Sequence, residues 1–148
     1  MALFIGEYKS KIDAKGRIVF PAAFKTELFL HSEKRLVVQK DFYQKCLSMY
    51  TIEAWTILVN EIKSKLNLQN REQAEFWRTF MSNRAEVMPD EISGRIIIPR
   101  RLLEMIEATG EVAFIGFDDH IEVWSAQKFE TLTMTEEEFS NAAEKFLG

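Results

Sequence analysis

Two short segments of the chain carry residue types that recognise anions. The first reads Asp13-Ala14-Lys15-Gly16-Arg17-Ile18-Val19-Phe20-Pro21, the second Glu91-Ile92-Ser93-Gly94-Arg95-Ile96-Ile97-Ile98-Pro99. Each runs acid, any residue, polar residue, Gly-Arg, three apolar residues, proline. Glycine takes the positive φ of a tight turn without steric cost. An arginine projected from such a turn presents five donors in a rigid fork, suited to phosphate oxygens or to guanine O6 and N7. Lys15 adds a flexible point charge beside Arg17. Arg100 and Arg101 follow Pro99 where a helix should start, and free N–H groups there also favour phosphate. Lys9 and Lys11 alternate along the incoming strand and so share one face, which reads either as cationic surface or as an ordinary solvated strand face. The candidate DNA-contacting residues are therefore Lys9, Lys11, Lys15, Gly16, Arg17, Gly94, Arg95, Arg100 and Arg101. Asp13 and Glu91 read as turn-shaping, because a carboxylate repels phosphate. A purely structural reading competes: Asp13 caps its own turn, Gly16 supplies the bend, and Arg17 is a solvated residue at a strand start.

The elements that must hold these turns repeat with them. The two Gly-Arg pairs lie 78 residues apart. Downstream, Leu47-Ser48-Met49-Tyr50 parallels Ile121-Glu122-Val123-Trp124, and Trp55 parallels Phe129, at an offset of 74. The four residues missing from the second copy are expected in the stretch Leu28 to Lys34, read as a longer loop in the first. The β-branched or aromatic triplet after each arginine predicts a short buried strand. The proline ends that strand and begins a helix. Further strands are expected at Leu36-Val37-Val38 and Val112–Ile115, then around Cys46–Tyr50 and Ile121–Trp124, with a hairpin turn at Asp118-Asp119. Thr51 and Ser125 are candidate N-caps, Thr135 with Glu138 a capping box, and Phe76, Trp77 and Phe80 the stripe of a linking helix. The expected division is 5–52 for the first module, 53–80 for a helical linker, 81–124 for the second module and 125–148 for C-terminal helices. Neither copy is large enough to bury a good core alone, so the two should pack together.

Composition narrows the function classes. A chain of 148 residues that is 47% hydrophobic and 12% aromatic can build a real core. Net charge is −4, yet residues 1–74 hold 12 basic against 8 acidic residues and residues 75–148 hold 7 against 15. A basic face on an acidic protein is thus allowed. Cys46, His31 and His120 are widely spaced and make no zinc-ligand pattern, and no metal or cofactor is expected. There is no serine–histidine–aspartate arrangement, Walker loop or dinucleotide fingerprint, so the chain does not read as an enzyme and no small-molecule substrate is expected. No signal peptide or membrane-length apolar run is evident, which points to the cytoplasm. Most tryptophans and phenylalanines sit at helical or strand spacing and read as core or subunit interface.

Gly6-Glu7-Tyr8, the Asp13–Pro21 segment and the second Gly94-Arg95 with Pro99 resemble the MraZ family, over nearly the whole chain. The resemblance implies an α+β fold of two tandem AbrB-like β-rich modules, related by internal pseudo-two-fold symmetry and packed on each other with helices outside. It implies a sequence-specific transcription regulator, associated with the nucleoid, that forms a ring of many subunits. Its partner would be double-stranded DNA at short direct repeats upstream of its own operon for cell division and cell-wall synthesis. The family motif Asp-x-Lys-Gly-Arg is intact at Asp13, Lys15, Gly16 and Arg17. In the second copy Glu91 and Ser93 replace the Asp and Lys, while Gly94 and Arg95 match. The alternative is an AbrB-like antitoxin or other protein-binding module. Antitoxins usually carry one module and a disordered tail, whereas this chain has two modules and a tail that reads as a helix.

Overall fold

Alternation sets the first strand of the computed structural model, which describes residues 1–148. In β1 (Phe4–Lys11) Phe4 and Tyr8 turn to one face, and Ile5, Glu7, Lys9 and Lys11 take the other. The first copy continues with β2 (Arg17–Val19), α1 (Ala22–Leu30), β3 (Leu36–Lys40), β4 (Leu47–Thr51), α2 (Ile52–Ser64) and α3 (Arg71–Ser82). The second has β5 (Arg84–Val87), β6 (Arg95–Ile97), α4 (Arg100–Met105), β7 (Glu111–Asp118), β8 (His120–Ser125), α5 (Ala126–Leu132) and α6 (Glu136–Leu147).

These strands form one six-stranded antiparallel sheet, in the order β1-β7-β8-β4-β3-β5, and a two-stranded ribbon, β2-β6. Exchanging the copies maps the sheet order onto its reverse and the ribbon onto itself. The fold is therefore α+β, with an internal pseudo-two-fold passing between β8 and β4 and between β2 and β6. The modules interleave as well as pack. The leading strand of each copy leaves its own module, so β1 pairs with β7 and β5 pairs with β3. Neither copy has a complete sheet without the other.

The core lies between the inner sheet face and the ribbon with α1 and α4. Phe4, Leu36, Val38, Met49, Phe114 and Val123 from the sheet meet Ile18 and Ile96 from the ribbon, Phe24 and Leu28 from α1, and Leu102 from α4. Phe24 and Leu28 are one helical turn apart and so enter the core together. Phe20 joins the layers, with its ring 5.8 Å from Phe114 and 6.2 Å from Phe24. The outer sheet face is covered in part by α2 and α5. There Trp55 donates its indole N–H to Gln39 at 3.1 Å, and the Arg84 guanidinium lies 4.5 Å from the Trp55 ring centre.

Local signals resolve unevenly. Thr51 caps α2 by accepting from Ala54 N–H, and Thr135 with Glu138 closes a full capping box on α6. Asn70 caps α3, which carries Phe76, Trp77 and Phe80. Ser125 stands at the N-cap of α5, but its hydroxyl makes no capping bond. The shortening of the second copy begins in a helix and not in the loop expected at Leu28 to Lys34. α1 has 9 residues and α4 has 6, and each helix closes on an equivalent left-handed residue, Ser32 (φ 57°) or Glu107 (φ 54°). The five-residue connections to β3 and β7 are equal, so shortening the helix preserves the turn that aims each following strand. No helix is long and apolar enough to cross a membrane.

Candidate nucleic-acid interface

The ribbon register fixes where the repeated arginines point. Arg17 is opposite Ile97, Ile18 opposite Ile96, and Val19 opposite Arg95. Directly opposed residues share a face, and successive ones alternate. Ile18 and Ile96 are 0% and 1% exposed and face the core. Arg17, Val19, Arg95 and Ile97 must therefore share the outward face, with the two arginines on one diagonal. Cross-strand diagonal neighbours stand about 7–8 Å apart. The duplication has thus become one composite surface built from both copies.

The first turn holds Arg17 firmly. Asp13 Oδ1 accepts from Lys15 N–H at 2.9 Å and Arg17 N–H at 2.8 Å, and Oδ2 accepts from Arg17 Nε at 2.7 Å. Gly16 takes φ +80° at the bend. Donation from the Arg17 backbone N–H, then from its side chain and from Lys15 N–H, holds the Asp13 carboxyl below the usual carboxylate range against the opposing effect of burial. The Arg17 side chain stays 39% exposed. With Nε engaged, both terminal nitrogens remain free for an external acceptor. An exposed ion pair of this kind adds little stability; it restricts the guanidinium to a narrow range of directions.

The second turn is built differently. It spans one more residue, closing with Asp90 N–H to Arg95 C=O where the first closes with Asp13 N–H to Arg17 C=O. The turn-shaping carboxylate is Asp90 and not the aligned Glu91. Asp90 Oδ2 accepts from Ser93 N–H at 2.7 Å and Ile92 N–H at 3.1 Å. Those backbone donors, Ser93 first, hold the Asp90 carboxyl below its ordinary value. Ser93 Oγ then accepts from Arg95 N–H at 3.3 Å, the task Asp13 performs for Arg17. Glu91 instead pairs with Lys34 at 3.5 Å, and its carbonyl accepts from Lys25 Nζ at 2.7 Å. The extra residue explains the displacement, because a constant offset from Gly94 lands one position late. The Arg95 side chain is exposed and has no internal partner.

The remaining candidates separate. Lys15 is exposed at the first turn and lines one depression with Gly16 and Arg100. Arg101 Nη2 donates to the Arg84 carbonyl at 3.1 Å, so this side chain braces β5. Lys9 and Lys11 share a face as the alternation predicts, but it is the sheet face turned away from the core, on the edge strand β1, where Lys9 also borders a depression with Val19, Ser93 and Gly94. Lys9 is spent on Glu130 of α5 at 2.7 Å. Lys25, which adds to the basic character near the first copy, lies beside Gly94 and supports the second turn by donating to the Glu91 carbonyl. Away from the ribbon, donor atoms of Asp41, Cys46 and Glu122 lie within 4.8 Å of one another. Burial first, then the flanking Glu122 and Asp41 charges, push the Cys46 thiol far up, so it stays protonated.

A family model described as "MraZ protein, putative antitoxin-like" matches residues 3–79 and again residues 80–148. The chain belongs to the MraZ family. Its two matches meet within the C-terminal half of α3, and together they span nearly every residue. Among curated MraZ relatives, a protein of Bacteroides thetaiotaomicron named "Transcriptional regulator MraZ" is 39% identical over 147 residues, covering 99% of this chain and 94% of that one. A Clostridium tetani protein of the same name is 34% identical, covering 97% and 96%. One from Christiangramia forsetii is 30% identical, covering 100% and 95%. These MraZ proteins carry the name of regulators, not of enzymes.

Proposed function

We propose that this chain regulates transcription by binding double-stranded DNA in a sequence-specific way, through the outward face of the β2-β6 ribbon. One observation carries the reading: the ladder that buries Ile18 against Ile96 turns Arg17 and Arg95 outward together. A two-stranded ribbon fits the major groove, which is about 12 Å wide, and arginine there pairs with guanine O6 and N7. Lys15 and Arg100 flank the ribbon and are free for phosphates. The acidic residues of the turns, Asp13 and Asp90, are engaged with backbone N–H donors, and the acidic run Glu136, Glu137 and Glu138 lies on α6.

One ribbon makes few contacts and binds weakly alone. Several subunits arranged in a ring would present the same face to successive direct repeats and gain through effective concentration. Uncovered apolar side chains on α6, Phe139, Phe146 and Leu147, and Phe76 on α3 offer surface for such assembly. The target we assign is the DNA upstream of the protein's own operon for cell division and cell-wall synthesis, within the cytoplasmic nucleoid. The family description also names an antitoxin-like relation, which favours a second reading as a protein-binding antitoxin module.

Footprinting on that upstream DNA, alongside sizing chromatography, tests the proposal. Evenly spaced protection that fades steeply with salt, from a large closed oligomer, supports it. A dimer that protects no DNA refutes it and favours the antitoxin reading.

A further inference from the structure

The outward face of the ribbon is not uniformly cationic. Across the other diagonal of the Arg17–Arg95 square stand Val19 and Ile97, 53% and 62% exposed. Both are fixed by the same register that fixes the arginines. Each lies two residues along its own strand from an arginine, a rise of about 6.5–7 Å, which is close to two base-pair steps. Each also lies directly across from the other copy's arginine, about 4.5–5.5 Å away. The four side chains form a chequerboard of two guanidinium forks and two branched aliphatic groups. A surface serving solubility alone gains nothing from two large aliphatics at the centre of a cationic face.

Resting on the DNA-binding reading above, we infer that Val19 and Ile97 are specificity-determining residues that pack against thymine C5-methyl groups beside the bases addressed by Arg95 and Arg17. The thymine methyl is the one apolar feature of the major-groove edge, and an aliphatic side chain recognises it where no hydrogen-bonding group can. The inward pair has no such role, because Ile18 and Ile96 are consumed by the core. Arginine supplies discrimination for guanine, and its aliphatic neighbour supplies it for thymine at an adjoining position. Duplex DNA is the occupant that fits the two flanking cations; a second copy of this chain would have to bury Arg17 and Arg95 along with the apolar pair.

The test uses the full chain and the footprinted upstream duplex, with each thymine replaced singly by deoxyuridine, which removes only the methyl. Wild-type protein should lose about three- to fivefold in affinity at one or two thymines per bound repeat, the worth of one methyl withdrawn from water. Val19→Ser and Ile97→Ser should each bind the parent duplex more weakly and lose the sensitivity to one of those replacements. Tight, arginine-dependent binding with no sensitivity to deoxyuridine anywhere overturns this inference and leaves the regulator reading standing. So does a serine variant that keeps full sensitivity at every position, or one whose main effect is on oligomer size. Failure of the wild-type chain to bind any duplex overturns both readings together.

Discussion

Replacing Ile18 or Ile96 with alanine tests the sidedness of the ribbon, on which the functional reading depends. Each side chain is essentially fully buried, at 0% and 1% exposure. Isoleucine to alanine deletes three carbons, worth about 2.4 kcal/mol of transfer at ~0.8 kcal/mol each. The cavity left between ribbon and sheet raises the loss to about 3–4 kcal/mol. Total stabilities run to about 5–15 kcal/mol, so this is a large share. For a chain of this size it corresponds to a fall in Tm of about 6–16 °C. Val19→Ala deletes two carbons that are already half in water, so its cost should stay below about 1 kcal/mol, and Ile97→Ala should fall between the two. The Ile18→Ala/Ile96→Ala double variant should lose other than the sum of the single losses, because the two side chains are directly opposed. Urea unfolding of the five variants and the wild type gives these differences directly. If Val19→Ala cost as much as Ile18→Ala, the ribbon would be turned over, the arginines would face the core, and the proposed interface would collapse.

Other perturbations separate the two turns. Asp90→Ala should destabilise by about 1 kcal/mol, because Ile92 and Ser93 N–H lose their acceptor, whereas Glu91→Ala should stay within about 0.5 kcal/mol; thermal unfolding ranks them. Gly16→Ala should cost about 1–2 kcal/mol by its positive φ alone, since nothing lies within 4 Å of the added carbon. Gly116→Ala, at ordinary φ, should instead disturb β1-β7 pairing, because its new carbon would sit 2.5 Å from the Phe4 backbone; loss of amide-exchange protection along β1 reads this out. Asp13 has a lowered carboxyl pKa in the folded protein. Its contribution to stability is therefore complete above the ordinary carboxylate value and drains away as pH falls through the lowered one. Unfolding free energy measured between about pH 5 and about pH 2 should fall less steeply in Asp13→Asn than in wild type.

Much of this architecture was legible in the residues. The repeated Gly-Arg-apolar-Pro segment correctly announced two copies, and alternation correctly assigned Lys9 and Lys11 to a common face. What local pattern could not supply was which face lay over which layer. That depends on β1 pairing with β7 and β5 with β3, long-range choices made by burial of Phe4 and Val87 and not by their neighbours in sequence. Lys9 looked like part of the cationic surface for this reason, and Glu130, 121 residues away, could not be seen as its partner. Glu91 misled differently. It matches Asp13 in charge and in distance from the glycine, yet a turn longer by one residue puts Asp90 in the geometric position. A loop, where chains usually vary, is the expected place for the four missing residues of the second copy, but the Ser32 and Glu107 turns are equivalent and the shorter α4 accounts for three of the four. Arg101 carried the right charge and was claimed by the Arg84 carbonyl.

The central claim is tested most directly by measuring affinity for the footprinted upstream duplex in Arg17→Ala, Arg95→Ala and Lys9→Ala. Each arginine variant should lose about 1–3 kcal/mol of binding, roughly five- to 150-fold, with the oligomer intact. Lys9→Ala, whose ammonium is already paired with Glu130, should bind within about twofold of wild type. Full affinity in both arginine variants, with loss in Lys9→Ala, would contradict the account and move the interface to the outer face of the sheet.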